Sequence, residues 1–290
     1  MKIGIALGGG GAKGFAHIGV LEVLSKAGIN CQIVTGTSAG ALVGAAFCSN
    51  KLDALKERSK EISLKDIPML LSPSWSRQGL FSGKNTLELL NDLLSVELIE
   101  DLPIIFGATA VDLLTAELIE FHQGNLKSIV RSSISIPGIF TPISWNEKLL
   151  VDGSLREVLP VHLARKLGAD FVIGVDLYSS TAEAPVLVPP RKVLWPAGIQ
   201  NAISFLSEKI LGTKEPQLNI IRILEMTAFI VQKQLTELRL RDNPVDFMIC
   251  PSVARVGMLD FHRSEPVVEI GRIAARNALP EIERLLIKSR

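Results

Sequence analysis

The sequence predicts an α/β fold: a three-layer α/β/α sandwich around a central, mostly parallel sheet. Three observations predict it. Short apolar runs alternate along the chain with amphipathic stretches of helical period. Two of those runs break into glycine-rich turns that lead straight into helices, Gly8-Gly9-Gly10-Gly11-Ala12-Lys13-Gly14 and Gly36-Thr37-Ser38-Ala39-Gly40. The chain has 290 residues, 47% of them apolar, enough to bury the core of one large domain.

Composition narrows the function. A net charge of +1 and a single Tyr argue against a broad nucleic-acid footprint. The three cysteines (Cys31, Cys48 and Cys250) are far apart, in apolar contexts and without a Cys-x-x-Cys pair. They read as buried thiols of a reducing compartment, which places the chain in the cytoplasm. No apolar run approaches the ~20 residues that span a bilayer.

The elements follow in order. Residues 2–7 end apolar and form a strand. Residues 8–14 are a glycine loop, and 15–27 a helix with Phe15, Ile18, Leu21 and Leu24 on its apolar face and Gly28 as its stop. Residues 30–35 are the next strand, so the first 35 residues make a parallel β-loop-α-β unit. A charged helix covers 51–62 and an irregular link 68–82, after which Ser82 caps a helix to about residue 95. Strands are expected at 103–111 and 116–121, a short helix at 125–131 and a shaped loop at 133–142. A strand at 145–151 runs into Asp152-Gly153-Ser154. A helix at 160–167 stops at Gly168, and 171–177 is a strand buried on both faces. Residues 179–196 are a proline-rich loop, followed by helices at 197–211 and 217–241. A strand at 246–250 and a helix at 265–288 close the chain. No internal repeat or second domain boundary is visible, so 1–290 reads as a single domain. Within it, 185–241 reads as a helical insertion, of which 185–211 serves as lid, interfacial patch, oligomer contact or ordinary core, while the apolar stripe of 217–241 reads as core.

Two glycine turns carry the chemistry. Gly36-x-Ser38-x-Gly40 at a strand-to-helix turn has the form of a nucleophile elbow, in which small flanking residues permit a strained turn that exposes the serine. The positive end of the following helix faces the same place. Gly9-x-Gly11-x-x-Gly14 also fits a dinucleotide fingerprint. That motif needs an acid near the end of the second strand, and this strand ends Ile33-Val34-Thr35-Gly36 instead. Lys13 is followed by Gly14 rather than Ser or Thr, which weighs against a phosphate loop. The glycine loop suits an oxyanion hole better. Parallel neighbours bring both loops to one sheet edge, where its amides and that of Ala39 face the Ser38 hydroxyl. For the proton acceptor the residues leave alternatives open. Asp112, Asp152 and Asp176 stand at strand ends, and His162 or His262 would complete a Ser-His-Asp esterase. His17, early in its helix, is placed to fix the glycine loop.

The ordered set Gly9-Gly10-Gly11-Ala12-Lys13-Gly14, Gly36-Thr37-Ser38-Ala39-Gly40 and Asp152-Gly153-Ser154 resembles the patatin-like phospholipases. The Ser-x-Ser-x-Pro-Gly-x-Phe-x-Pro run at 133–142 resembles that family's segment before its aspartate. The resemblance covers residues 2 to about 177, and the chain length is similar to short bacterial, RssA-like members. It implies a serine acyl hydrolase of phospholipid, lysophospholipid or simpler lipid esters that works with a Ser-Asp dyad. By position, Ser38 is the nucleophile and Asp152 the base. Gly10, Gly11 and the Ala39 region supply the oxyanion amides, and Lys13 braces their loop. No metal or cofactor is implied. The expected partner is a lipid or acyl ester, with peripheral membrane contact and a homo-oligomer open, and no nucleic acid; a non-catalytic regulatory protein of the same fold is the alternative. Two positions depart from the pattern: Gly8 stands where many members carry an acid or serine, and Ser154 replaces the usual Gly or Ala after Asp-Gly.

Overall fold

The computed structural model describes residues 1–63, 84–178 and 220–288. The expected link at 68–82 with its Ser82 cap, the proline-rich loop, the 197–211 helix and the 185–211 lid lie outside the described residues, as does the start of the 217–241 helix.

The strands are β1 (Ile3–Leu7), β2 (Ile33–Thr37), β3 (Ile105–Asp112), β4 (Leu118–Phe121), β5 (Ile143–Trp145), β6 (Lys148–Asp152), β7 (Phe171–Val175) and β8 (Phe247–Ile249). They form one sheet in the order β5-β6-β3-β2-β1-β7-β8, with β4 also paired to β3. The run from β3 through β2, β1 and β7 to β8 is parallel, and β4, β5 and β6 join antiparallel. Central strands must bury both faces, and β2 and β7 do so at every residue.

The helices are α1 (Phe15–Lys26), α2 (Ala39–Cys48), α3 (Leu52–Lys60), α4 (Lys84–Leu93), α5 (Leu126–Ser133), α6 (Val161–Lys166), α7 (Ile220–Asp242) and α8 (Ser264–Lys288). Strand alternation sorts the core into two layers. Ile5, Leu7 and Val34 point to one face and pack with α1, α2 and α8. Ala6, Ile33 and Val172 point to the other and pack with Leu159, Val161 and Ala164 around α6, with Leu240 of α7 against them. The three-layer sandwich is therefore present.

Some boundaries differ from expectation for local reasons. β2 continues through Thr35, Gly36 and Thr37, so the strand reaches the serine itself. The strand expected at 145–151 is a hairpin, because Asn146 and Glu147 both take positive φ and turn the chain. All three thiols are free, with Cys31 and Cys48 buried as expected and Cys250 only partly so.

The topology around β3 decides the site. β4 pairs with Ala108 to Val111. β2 pairs with Ile105 to Thr109, and β6 with Ala110 to Asp112. Both overlap the residues that β4 occupies, so both must use the opposite edge. That edge passes from β2 to β6 between Thr109 and Ala110. Thr37 is opposite Thr109 and Asp152 is opposite Ala110. The chain leaves β2 at Ser38, where β6 delivers Asp152.

Candidate active site

Ser38 sits at the tip of β2 and opens α2, with φ 56° and ψ −123°. A non-glycine residue in this region is strained, and the surroundings must hold it. They do so through the backbone. The Ser38 amide donates to Ser133 Oγ at 2.9 Å, and the Ser38 carbonyl accepts from the amides of Ala41 and Leu42. The Ser38 side chain makes no cap bond to its own helix, which leaves its hydroxyl for the site. Close packing explains the glycine after it: a Cβ on Gly40 would overlap the Leu7 carbonyl of β1.

Asp152 ends β6 and is 3% exposed. Its amide donates to the Ser135 carbonyl at 3.0 Å, and one carboxylate oxygen, Oδ1, accepts from the Ser154 amide at 2.8 Å. Burial pushes its pKa from 3.8 up to about 6, and hydrogen bonding from the Ser38 side chain and from Ser154 pulls the other way. Below β6, the threonines facing each other on β2 and β3 share a 2.7 Å bond, Thr37 Oγ1 to Thr109 Oγ1, which ties the two strands together beneath the turn.

The glycine loop lies across this pair. A Cβ on Gly9 would overlap Ser154 Oγ and reach 3.3 Å from Ser38 Cβ, so only a bare backbone passes here. The Gly8 amide donates to Val175 O and the Gly9 amide to Val158 O, at 3.1 and 3.0 Å. His17, fully buried in α1, donates from Nε2 to the Gly8 carbonyl at 2.7 Å. Burial lowers its pKa to about 4, against the opposing pull of that bond, so it remains a neutral strut at neutral pH. Gly8 is thus anchored entirely through its backbone. Among the described residues the amides of Gly10 and Gly11 have no backbone acceptor, and neither does that of Ala39 at the start of α2. Lys13 is nearly buried, its ammonium 5.0 Å from the Tyr178 ring centre and 5.4 Å from that of Phe229, so it ties the loop to the exit of β7 and to α7. Gly14 packs against Ala39, Gly36 against Gly40, and Gly153 against Thr109.

The other candidates lie apart. Asp112 accepts from Thr115 Oγ1 and from the amides of Leu114 and Leu149, so it organises the β3–β4 turn. Asp176 accepts from the Tyr178 amide. His162 pairs with Glu120 at 3.0 Å, and no histidine hydrogen-bonds Ser38 or Asp152 among the described residues. No metal-holding group of His, Cys, Asp and Glu occurs among them either, and none of their helices is long and apolar enough to cross a membrane.

Sequence reasoning missed the residues that hold the pair together. Ser133 fixes the Ser38 amide and Ser135 fixes that of Asp152, so one short stretch positions both. Arg131, buried in α5, donates to Ser135 Oγ at 2.6 Å and stacks 5.2 Å over Phe140, which locks that stretch. The signal was in the Ser133-Ile-Ser135-Ile-Pro137-Gly138 run, which periodicity reads only as an irregular loop.

Comparison with known proteins agrees with this architecture. The family model described as "Patatin-like phospholipase" matches residues 5–165, which span both glycine turns and Asp152. An uncharacterised NTE family protein of Mycobacterium tuberculosis is 28% identical over 97% of this chain and 92% of its own length. A second from that organism is 32% identical over 96% of this chain and 46% of its length. The neuropathy target esterase sws of Drosophila melanogaster is 36% identical over 61% of this chain, within 13% of its own length. Among solved structures, VipD from Legionella pneumophila aligns with a TM-score of 0.38 at 14% identity, covering 92% of this chain and 66% of that one. A family match that runs through every motif at the sheet edge, with relatives aligned over nearly the whole chain, places this protein in the patatin-like phospholipase family.

Proposed function

We propose that the protein is a serine acyl hydrolase of lipid esters, with Ser38 as nucleophile and Asp152 as its base. One observation carries this reading: the edge of β3 passes from β2 to β6 at the residue where Ser38 turns away, which sets a buried carboxylate against a strained serine. Asp152 takes the Ser38 proton as Oγ attacks the acyl carbonyl, and the negative oxygen settles toward the amides of Gly10, Gly11 and Ala39. The tetrahedral intermediate collapses, and the alcohol leaves with the proton from Asp152. Water then attacks the acyl-serine, giving its proton to Asp152, and the fatty acid departs as Ser38 recovers a proton. A base with its pKa raised to about 6 is far better suited to this than an ordinary carboxylate, yet stays ionised at neutral pH. The family and its esterase relative support the ester-hydrolysing class.

The test is labelling with a fluorophosphonate probe beside hydrolysis of short and long acyl esters. Wild type is expected to label at Ser38 and to release acid, while Ser38→Ala and Asp152→Asn lose hydrolysis with the fold intact. Full activity in either variant refutes the dyad. Equal loss in His162→Ala transfers the role of base to a histidine.

A further inference from the structure

Ser154 stands in the site with a hydroxyl that the turn alone does not require. It is buried, it follows Asp152 by two residues, and its amide donates to Asp152 Oδ1 at 2.8 Å. Any residue at position 154 supplies that amide. The hydroxyl is different. Its oxygen stands where a Cβ on Gly9 would sit, pressed onto the glycine loop beside the Asp152 turn, and it pulls the Asp152 pKa back down against the effect of burial.

We propose that Ser154 is a positioning residue that grips the Asp152 carboxylate twice, through amide and hydroxyl, and so keeps it ionised and turned toward Ser38. The inference rests on the dyad reading and extends it. Two donors from one residue fix the carboxylate plane. Occupying Oδ1 with the amide biases the arriving Ser38 proton toward the other oxygen. A hydroxyl can also rotate, donating to the carboxylate before transfer and accepting once the acid forms, so it follows the proton without leaving its place. An extra donor stabilises the charged form of the base, which extends activity to lower pH.

The experiment is the pH profile of kcat/KM for Ser154→Ala and Ser154→Thr beside wild type and Asp152→Asn, with melting temperatures for all four. Wild type is expected to show an acidic limb near pH 6, with Asp152→Asn, which has no turnover, giving the background rate at each pH. Loss of one hydrogen bond to a charged group moves that limb up by roughly one pH unit in Ser154→Ala, so the deficit reaches about tenfold below the limb and shrinks above it. KM is expected to hold, and threonine to restore the limb. An acidic limb that stays in place in Ser154→Ala, or a loss equal at every pH, overturns the inference and leaves the dyad standing. A wild type with neither hydrolysis nor Ser38 labelling overturns both. The Asp152 carboxyl titration, followed by carbon NMR in a Ser38→Ala background with and without Ser154→Ala, checks the same shift without turnover; no difference between the two refutes it.

Discussion

Replacing Asp152 by asparagine is expected to make the protein inactive and more stable, and the gain should depend on pH in a defined way. Folding raises the Asp152 pKa from 3.8 to about 6, chiefly by burial. The folded chain therefore prefers the protonated acid. That preference contributes fully below the unfolded value of 3.8 and is lost as pH rises through about 6. Above that point the fold carries an ionised, buried carboxylate at a cost of about 3 kcal/mol, taking 1.36 kcal/mol for each pKa unit. Asparagine has nearly the same shape, is neutral at every pH, and its amide oxygen can still accept from the Ser154 amide. Asp152→Asn is then more stable than wild type by up to about 3 kcal/mol at pH 8, and the gap closes toward pH 4. Urea unfolding at pH 4, 6 and 8 measures the gap, and p-nitrophenyl butyrate hydrolysis on the same samples measures the loss of function. A gap that ignores pH, or a variant less stable at pH 8 than wild type, refutes the reasoning that burial sets the base's proton affinity.

Ser38→Gly removes the nucleophile and the positive-φ strain together, so it should exceed Ser38→Ala in stability by about 1 kcal/mol by urea unfolding, after the entropic cost of glycine. Ser133→Ala leaves the buried Ser38 amide without its acceptor; it should cost about 1–3 kcal/mol in stability and lower kcat, both measurable on one preparation. Glu157 is buried with Oε2 unpartnered among the described residues, and its pKa is raised to about 7, first by burial; Arg239 pulls it back and Glu120 pushes it further. Its stabilising contribution is present below its ordinary value of 4.5 and is lost as pH rises through about 7. Glu157→Gln should therefore raise the melting temperature at pH 8 and hardly change it at pH 4.

The amino-acid order by itself determined the layers and the turns. The unbroken apolar run of β7 told that this strand lies inside, because a parallel central strand has no solvent face. Glycines at 36 and 40 marked where backbone meets backbone too closely for a side chain, and Ser38 stood between them. These are local facts, set by neighbours within a few residues. Local rules do not choose among Asp112, Asp152 and Asp176, since all three end strands; the family resemblance alone points to Asp152, without a physical reason. The register of β3 supplies the spatial reason: one edge is handed from β2 to β6 between Thr109 and Ala110, which brings residue 152 to residue 38 across more than a hundred positions. The same holds for Ser133 and Ser135, whose hydrogen bonds reach β2 and β6 from a stretch without period. Pairing register is a property of strands meeting in space, and the proton affinity of Asp152 follows from the burial that this meeting creates.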